Sequence, residues 1–128
     1  MSVAPLVVVA DDDTITRSII NLKLKSRGYN VITASDGTEA LRVIETEAPD
    51  LVVLDAMMPG INGFELLRQI KTTPRTANTL VVMLTSRKLE QDIVGALNAG
   101  ASDYLVKPFI PEELAVRIAR LLPVGAPQ

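Results

Sequence analysis

The chain has 128 residues, 48% of them apolar and 22% charged, with a net charge of −2 at neutral pH. That length and balance fit one soluble globular domain with a real core, exclude a disordered chain, and give no electrostatic reason to expect nucleic-acid binding. Cys and His are both absent, which excludes disulfides, thiolate zinc sites, cysteine nucleophiles and histidine bases or ligands, and leaves chemistry to carboxylates, hydroxyls and lysine.

The N-terminus has no basic region ahead of an apolar stretch, and no apolar run is long enough to span a bilayer, so a cytoplasmic location without membrane association is expected. Leu6 to Ala10 is short, β-branched and apolar without alternation, as suits a strand covered on both faces. It runs directly into Asp11, Asp12 and Asp13. Thr14 to Arg27 is amphipathic, with Ile15, Ile19 and Leu22 expected to face inward and Leu24 a further candidate. Asp13 or Thr14 can cap its start, and Gly28 stands at the usual C-terminal position. Asn30 to Thr33 is a short strand. Asp36-Gly37-Thr38-Glu39 reads as an N-cap followed by the acid of a capping box, opening a helix to about Glu47 that buries Ala40, Leu41 and Ile44.

Pro49 and Asp50 break the chain before Leu51 to Leu54, a second buried-type strand that ends in Asp55. Met58 to Gly63 is a loop by its Pro and Gly content. A helix over Phe64 to Lys71 and a polar connection over Pro74 to Asn78 lead to the strand Leu80 to Leu84, which ends in Thr85-Ser86. Lys88 to Ala99 is helical and closed by Gly100. The strand Asp103 to Val106 ends in Lys107-Pro108. Pro111-Glu112-Glu113 opens the last helix, although Ile110 is a poor N-cap residue. Pro123 to Gln128 reads as a flexible tail or the start of a linker.

Five strands alternating with five helices imply a three-layer, doubly wound α/β domain with a parallel sheet and right-handed crossovers. Ligands bind such sheets beyond the carboxyl ends of the strands. Four strands here end in functional side chains: Asp11 and Asp12, Asp55, Thr85, and Lys107. If those strands lie side by side, the groups converge. Three nearby carboxylates favour a hard divalent cation, and Mg²⁺ fits best, at about 2.1 Å with water retained. A carboxylate held beside such an ion can attack phosphorus, while Lys107 and the Thr85 hydroxyl hold the phosphoryl oxygens. An ionised carboxylate needs no general base, so the lack of histidine is no obstacle.

These residues carry a family likeness. Val8-Val9-Ala10-Asp11-Asp12, Asp55-Ala56-Met57-Met58-Pro59-Gly60-Ile61-Asn62-Gly63, Leu84-Thr85-Ser86 and Gly100-Ala101-Ser102-Asp103-Tyr104-Leu105-Val106-Lys107-Pro108-Phe109 stand in the order and spacing of a two-component response regulator. The chain resembles the CheY-like receiver domain of that family over Leu6 to about Leu122, so residues 1–122 are expected to form the receiver domain and 123–128 the tail. The resemblance implies a flavodoxin-like sheet of order 2-1-3-4-5. It makes Asp55 the phosphoacceptor, and it makes Asp11, Asp12, Asp55 and the Met57 backbone carbonyl the Mg²⁺ ligands, with Mn²⁺ as a substitute. Thr85 and Lys107 would hold the phosphoryl group, and Lys107-Pro108 would be a cis peptide. Thr85 and Tyr104 would form the switch that repacks the face made by the last two helices and the last strand. Met57 and Arg87 occupy the positions that tune phosphoryl lifetime. The implied donor is a phosphohistidine on a histidine kinase or phosphotransfer protein. The downstream partner is not specified, and the protein is expected to be a monomer or a phosphorylation-promoted homodimer.

Plainer readings stand beside these. Helix capping explains Asp13 better than metal binding does. Tyr104 alone reads as a half-buried strand aromatic. Leu89, Ile93 and Leu97 share a helical face of the kind that is usually core, but Leu89 and Ile93, with Tyr104, are also candidates for a partner surface. Arg17, Arg68 and Lys71 read as solvated helix charges, and Ser102 and Thr16 as serving turns or backbone. Two other functions are compatible with parts of the pattern. A haloacid-dehalogenase-like phosphohydrolase would use Asp11 and Asp13 but assigns no role to Asp55 or its loop. A receiver fold kept as a phosphorylation-independent docking module would usually have lost an acid, the Thr or the Lys. The expectation is a signalling module that catalyses only its own phosphorylation and dephosphorylation.

Overall fold

The computed structural model describes residues 4–86 and 90–124, without the side chains of residues 90 and 91. In chain order the elements are β1 (Leu6–Ala10), α1 (Thr14–Ser26), β2 (Asn30–Ala34), α2 (Gly37–Glu47), β3 (Leu51–Asp55), α3 (Gly63–Thr72), β4 (Leu80–Thr85), α4 (Glu90–Asn98), β5 (Asp103–Val106) and α5 (Pro111–Leu121). The five strands are parallel in the order β2-β1-β3-β4-β5.

Strand alternation divides the core into two layers. Val8, Ala10, Val52, Leu54, Val81, Met83 and Tyr104 point to one side, where Ala40, Val43 and Ile44 of α2, Leu66, Leu67 and Ile70 of α3, and Ala96 of α4 cover them. Val7, Val9, Leu51, Val53, Val82, Leu84 and Leu105 point to the other, under Ile20 and Leu24 of α1 and Leu114, Ala115 and Ile118 of α5. Helices on both faces explain why β1 and β3 read as continuous apolar runs.

The face of α1 differs from the expectation. Ile20 and Leu24 are buried, whereas Ile15 and Leu22 are each 69% exposed and Ile19 is 45% exposed. The helix carries two apolar stripes on opposite sides, 15/19/22 and 20/24, and period alone does not say which one meets the sheet. On α4 the exposed apolar residues are Val94 and Leu97, and Ile93 is half-buried against the core.

The helix starts follow local chemistry. The Asp13 carboxylate accepts from the Thr16 amide and the Asp36 carboxylate from Glu39. Glu39 reaches back one residue beyond its cap, accepting from the Ser35 amide. Ile110 supplies no side-chain cap to α5. At the end of α2, Ala48 takes the left-handed conformation, and the Arg75 guanidinium donates to the Glu45 and Thr46 carbonyls.

Two lysine and arginine readings need correcting. The ammonium of Lys71 donates to the Ala77 and Thr79 carbonyls, and partial burial lowers its pKa. Arg17 Nη1 donates to the Asp11 carbonyl at 2.7 Å. Both cations serve backbone acceptors that composition cannot reveal. Arg68 does stay exposed, paired with Glu65.

Candidate functional site

The carboxyl ends of β1 and β3 are neighbours, with Ala10 opposite Leu54 in the register. This brings Asp11 and Asp12, which follow β1, close to Asp55 at the end of β3. One carboxylate oxygen from each lies within 4.8 Å of the other two. Asp11 is fully buried, Asp55 is 4% exposed, and Asp12 faces solvent.

The anchoring is local and directional. Asp11 Oδ1 accepts from the Asp13 amide at 2.9 Å, and Asp55 Oδ1 accepts from the Met57 amide at 3.2 Å. Lys107, just past β5, places Nζ 2.8 Å from Asp11 Oδ2 and 3.4 Å from Asp55 Oδ2. The Lys107–Pro108 peptide is cis. Thr85 ends β4 with its side chain buried, and its carbonyl accepts from the Lys107 amide at 2.7 Å. Four strand ends thus deliver Asp11, Asp55, Thr85 and Lys107 to one pole of the sheet.

The electrostatics follow from that crowding. Burial first, and then the charge of Asp11, push the Asp55 carboxyl up to about 6. Burial acts to lower the Lys107 pKa, but the hydrogen bond and charge of Asp11, with Asp55 behind it, outweigh this and hold it above the ordinary value. One ammonium therefore faces two buried carboxylates and leaves negative charge uncompensated. An all-oxygen set of this kind suits a hard divalent cation such as Mg²⁺. Asp13 stays outside the cluster, engaged in capping α1.

The remaining sequence candidates fall in different places. The Met57 side chain is half-exposed at the loop after β3, and Tyr104 is buried in the layer beneath α4. Arg87 and Leu89 lie outside the described residues. Two residues near the site escaped the sequence reading of their roles: Arg17, bound to the Asp11 carbonyl, and Gly37, whose amide donates to the Pro59 carbonyl at 3.0 Å. Gly at the first position of a helix is a visible oddity, but nothing in the sequence names the loop that it meets.

A doubly wound parallel sheet with buried carboxylates, a hydroxyl and a lysine at its carboxyl pole defines a class of phosphate-handling α/β domain. Residues 7–119 match the model of the response regulator receiver domain. The alkaline phosphatase synthesis transcriptional regulatory protein PhoP of Bacillus subtilis is 41% identical over 91% of this chain and 48% of its own length. The response regulator MprA of Mycolicibacterium vanbaalenii is 45% identical over 91% of this chain and 49% of its own length. The structure of the chemotaxis response regulator CheY4 of Vibrio cholerae superposes with a TM-score of 0.88 at 32% identity, covering 94% of this chain and all of that one. The chain belongs to the response regulator receiver domain family. Domains of this family are phosphorylation-dependent signalling switches, and the acidic cluster such a switch requires is present here. The chain spans about half the length of the curated relatives it matches.

Proposed function

We propose that residues 1–122 act as the receiver of a two-component phosphorelay, with Asp55 the phosphoacceptor and 123–128 a tail or linker. The observation that carries this reading is the buried Asp11–Asp55 pair, neutralised in part by Lys107 across three strand ends. An Asp55 carboxylate oxygen forms the new O–P bond as the P–N bond of a donor phosphohistidine breaks, and the imidazole nitrogen leaves with the bonding pair. Lys107 balances charge on the phosphoryl oxygens, and the Thr85 hydroxyl donates to one of them. Asp11, Asp12, Asp55 and the Met57 carbonyl are the groups that would hold Mg²⁺, or Mn²⁺ in its place. When bound, the ion supplies charge stabilisation to the transferring group.

The donor is a histidine kinase or phosphotransfer protein. A mainly apolar depression beside Lys107, lined by Ile19, Ile20, Pro108, Phe109 and Pro111, supports a protein donor. Phosphorylation draws Thr85 toward the new group and biases the packing around Tyr104, altering the α4–β5–α5 face for a partner or a second copy. Ile93 and Tyr104 contribute to that face from below, and Leu89 belongs to the same proposal. The module catalyses only its own phosphorylation and dephosphorylation, and it works in the cytoplasm. Among the described residues no helix is long and apolar enough to cross a membrane. The phosphohydrolase alternative needs Asp13 in the site, and the engagement of Asp13 as a helix cap weighs against it.

The test is labelling with acetyl phosphate and Mg²⁺. Wild type should form an acid-stable, hydroxylamine-labile adduct and Asp55→Asn should not. Equal labelling of both, or steady turnover of a phosphomonoester, would overturn the proposal.

A further inference from the structure

Gly37 lies outside the acidic cluster, yet it has the tightest backbone contact around the loop that follows Asp55. A Cβ built on Gly37 would stand 1.8 Å from the Ile61 carbonyl oxygen and 2.7 Å from the Ile61 carbonyl carbon and amide nitrogen. The obstacle is main chain, so no side-chain rotation can relieve it. The Gly37 amide also donates to the Pro59 carbonyl at 3.0 Å, which spends an orphan donor of the helix start on the loop. Gly60, at φ +80°, lies against the same turn, where an added Cβ would meet Thr38 Oγ1 at 3.0 Å.

The ends of the loop are fixed separately. The Ala56 amide bonds the Leu84 carbonyl, and the Gly63 amide bonds the Ala56 carbonyl. Between them the chain carries Met57, whose amide holds Asp55 Oδ1. We infer that Gly37 is a positioning residue: the first turn of α2 is the surface on which the β3–α3 loop is set, and it thereby fixes both the Met57 carbonyl and the Asp55 carboxylate for the divalent cation. This rests on the metal-site reading proposed above. Alanine is intrinsically the better helix former, so the Gly37→Ala helix has no propensity penalty of its own. The cost falls on the Ile61 backbone and, through it, on the site.

Calorimetric titration with Mg²⁺, paired with thermal unfolding in EDTA, tests this. Gly37→Ala should weaken Mg²⁺ binding at least tenfold. If that variant does not fold, Gly60→Ala and Gly28→Ala decide. Gly60→Ala strains the same loop from its own side, at φ +80° and against Thr38 at the α2 start, whereas Gly28, at φ +97° with its nearest obstacle on Val124, carries comparable strain at the far pole. Gly60→Ala should then lose Mg²⁺ affinity several-fold and Gly28→Ala should keep the wild-type value, although both melt lower. Gly37→Ala binding within twofold of wild type, or equal loss in the Gly60 and Gly28 variants, overturns the inference. A wild type that shows no saturable Mg²⁺ binding instead refutes the metal site itself, and the inference falls with it.

Discussion

Lys107 Nζ sits closer to Asp11 Oδ2 than to Asp55 Oδ2, 2.8 Å against 3.4 Å. The lysine is thus bound more closely to Asp11, and its hold on Asp55, whose other oxygen takes the Met57 amide, is the looser of the two. The pairing also makes the lysine a partial substitute for a metal, since it is the cation that the buried acids share.

Removing that ammonium should therefore show most when metal is absent. Lys107→Met leaves two buried acids without their shared cation. Lys107 is partly exposed, so the cost should be about 2 kcal/mol in EDTA rather than the roughly 3–5 kcal/mol of a fully buried pair. Mg²⁺ should restore more stability to the variant than it adds to wild type. Urea unfolding with and without Mg²⁺ measures both, and an equal Mg²⁺ increment in the two proteins would contradict the shared-cation account.

The raised Asp55 pKa has a definite sign for stability. Between the ordinary 3.8 and about 6 the folded, metal-free protein holds a proton on Asp55 that the unfolded chain has lost. Unfolding there releases a proton, so this group's contribution to stability falls as pH rises from about 4 to about 6. Asp55→Asn abolishes the effect. In EDTA the variant should exceed wild type by roughly 3 kcal/mol at pH 7 and converge with it near pH 4. A difference that is constant with pH would argue against burial as the cause.

The Met57 side chain is half-exposed at the site and has no polar atom with which to orient an attacking water. The Asp55 phosphoryl group should accordingly persist well beyond seconds, and Met57→Gln should shorten its life several-fold. Decay of the labelled protein in EDTA reads this directly, and a wild-type half-life of seconds or less would count against it.

The two stripes of α1 should separate cleanly in stability. Ile20→Ala or Leu24→Ala removes a fully buried side chain and should cost about 2–5 kcal/mol. Ile15→Ser and Leu22→Ser should stay within about 0.5 kcal/mol of wild type. Chemical denaturation of the four variants distinguishes the stripe that holds the fold from the one that faces outward.

At the end of α2, Ala48 adopts φ 45°, a left-handed conformation in which a Cβ is unfavourable. Ala48→Gly should raise stability by about 1 kcal/mol without touching the site. A lower melting temperature would show that Ala48 contributes packing that outweighs its backbone strain.

The strands and their acidic or hydroxyl ends were legible because a sheet covered on both faces demands unbroken apolar runs, and a polar residue ending one is conspicuous. Asp13 and Asp36 announced themselves as caps through their place before a periodic segment. What could not be read were contacts whose partner is main chain. The Arg17 and Lys71 side chains look like any surface cation until the carbonyls they serve are placed, and Gly37 looks like a poor helix start until the Ile61 backbone is set against it. The orientation of α1 failed for a different reason. Two apolar stripes at helical spacing are equally good amphipathic faces, and the choice between them belongs to the sheet, not to the helix.

Tyr29 donates its hydroxyl hydrogen bond to the Leu122 carbonyl at 2.6 Å, tying the entrance of β2 to the exit of α5. Because α5 runs back against its strand, that tether lies at the amino pole of the sheet. Strands of five residues, such as β1, separate it from the acidic pole by about 15 Å. The acidic cluster and the α5 terminus thus stand at opposite poles of the sheet. Were Asp55 to carry a phosphoryl group, that group would have no direct reach to the α5 terminus, and any effect there would have to travel as a change in how the helix layers lean on the sheet.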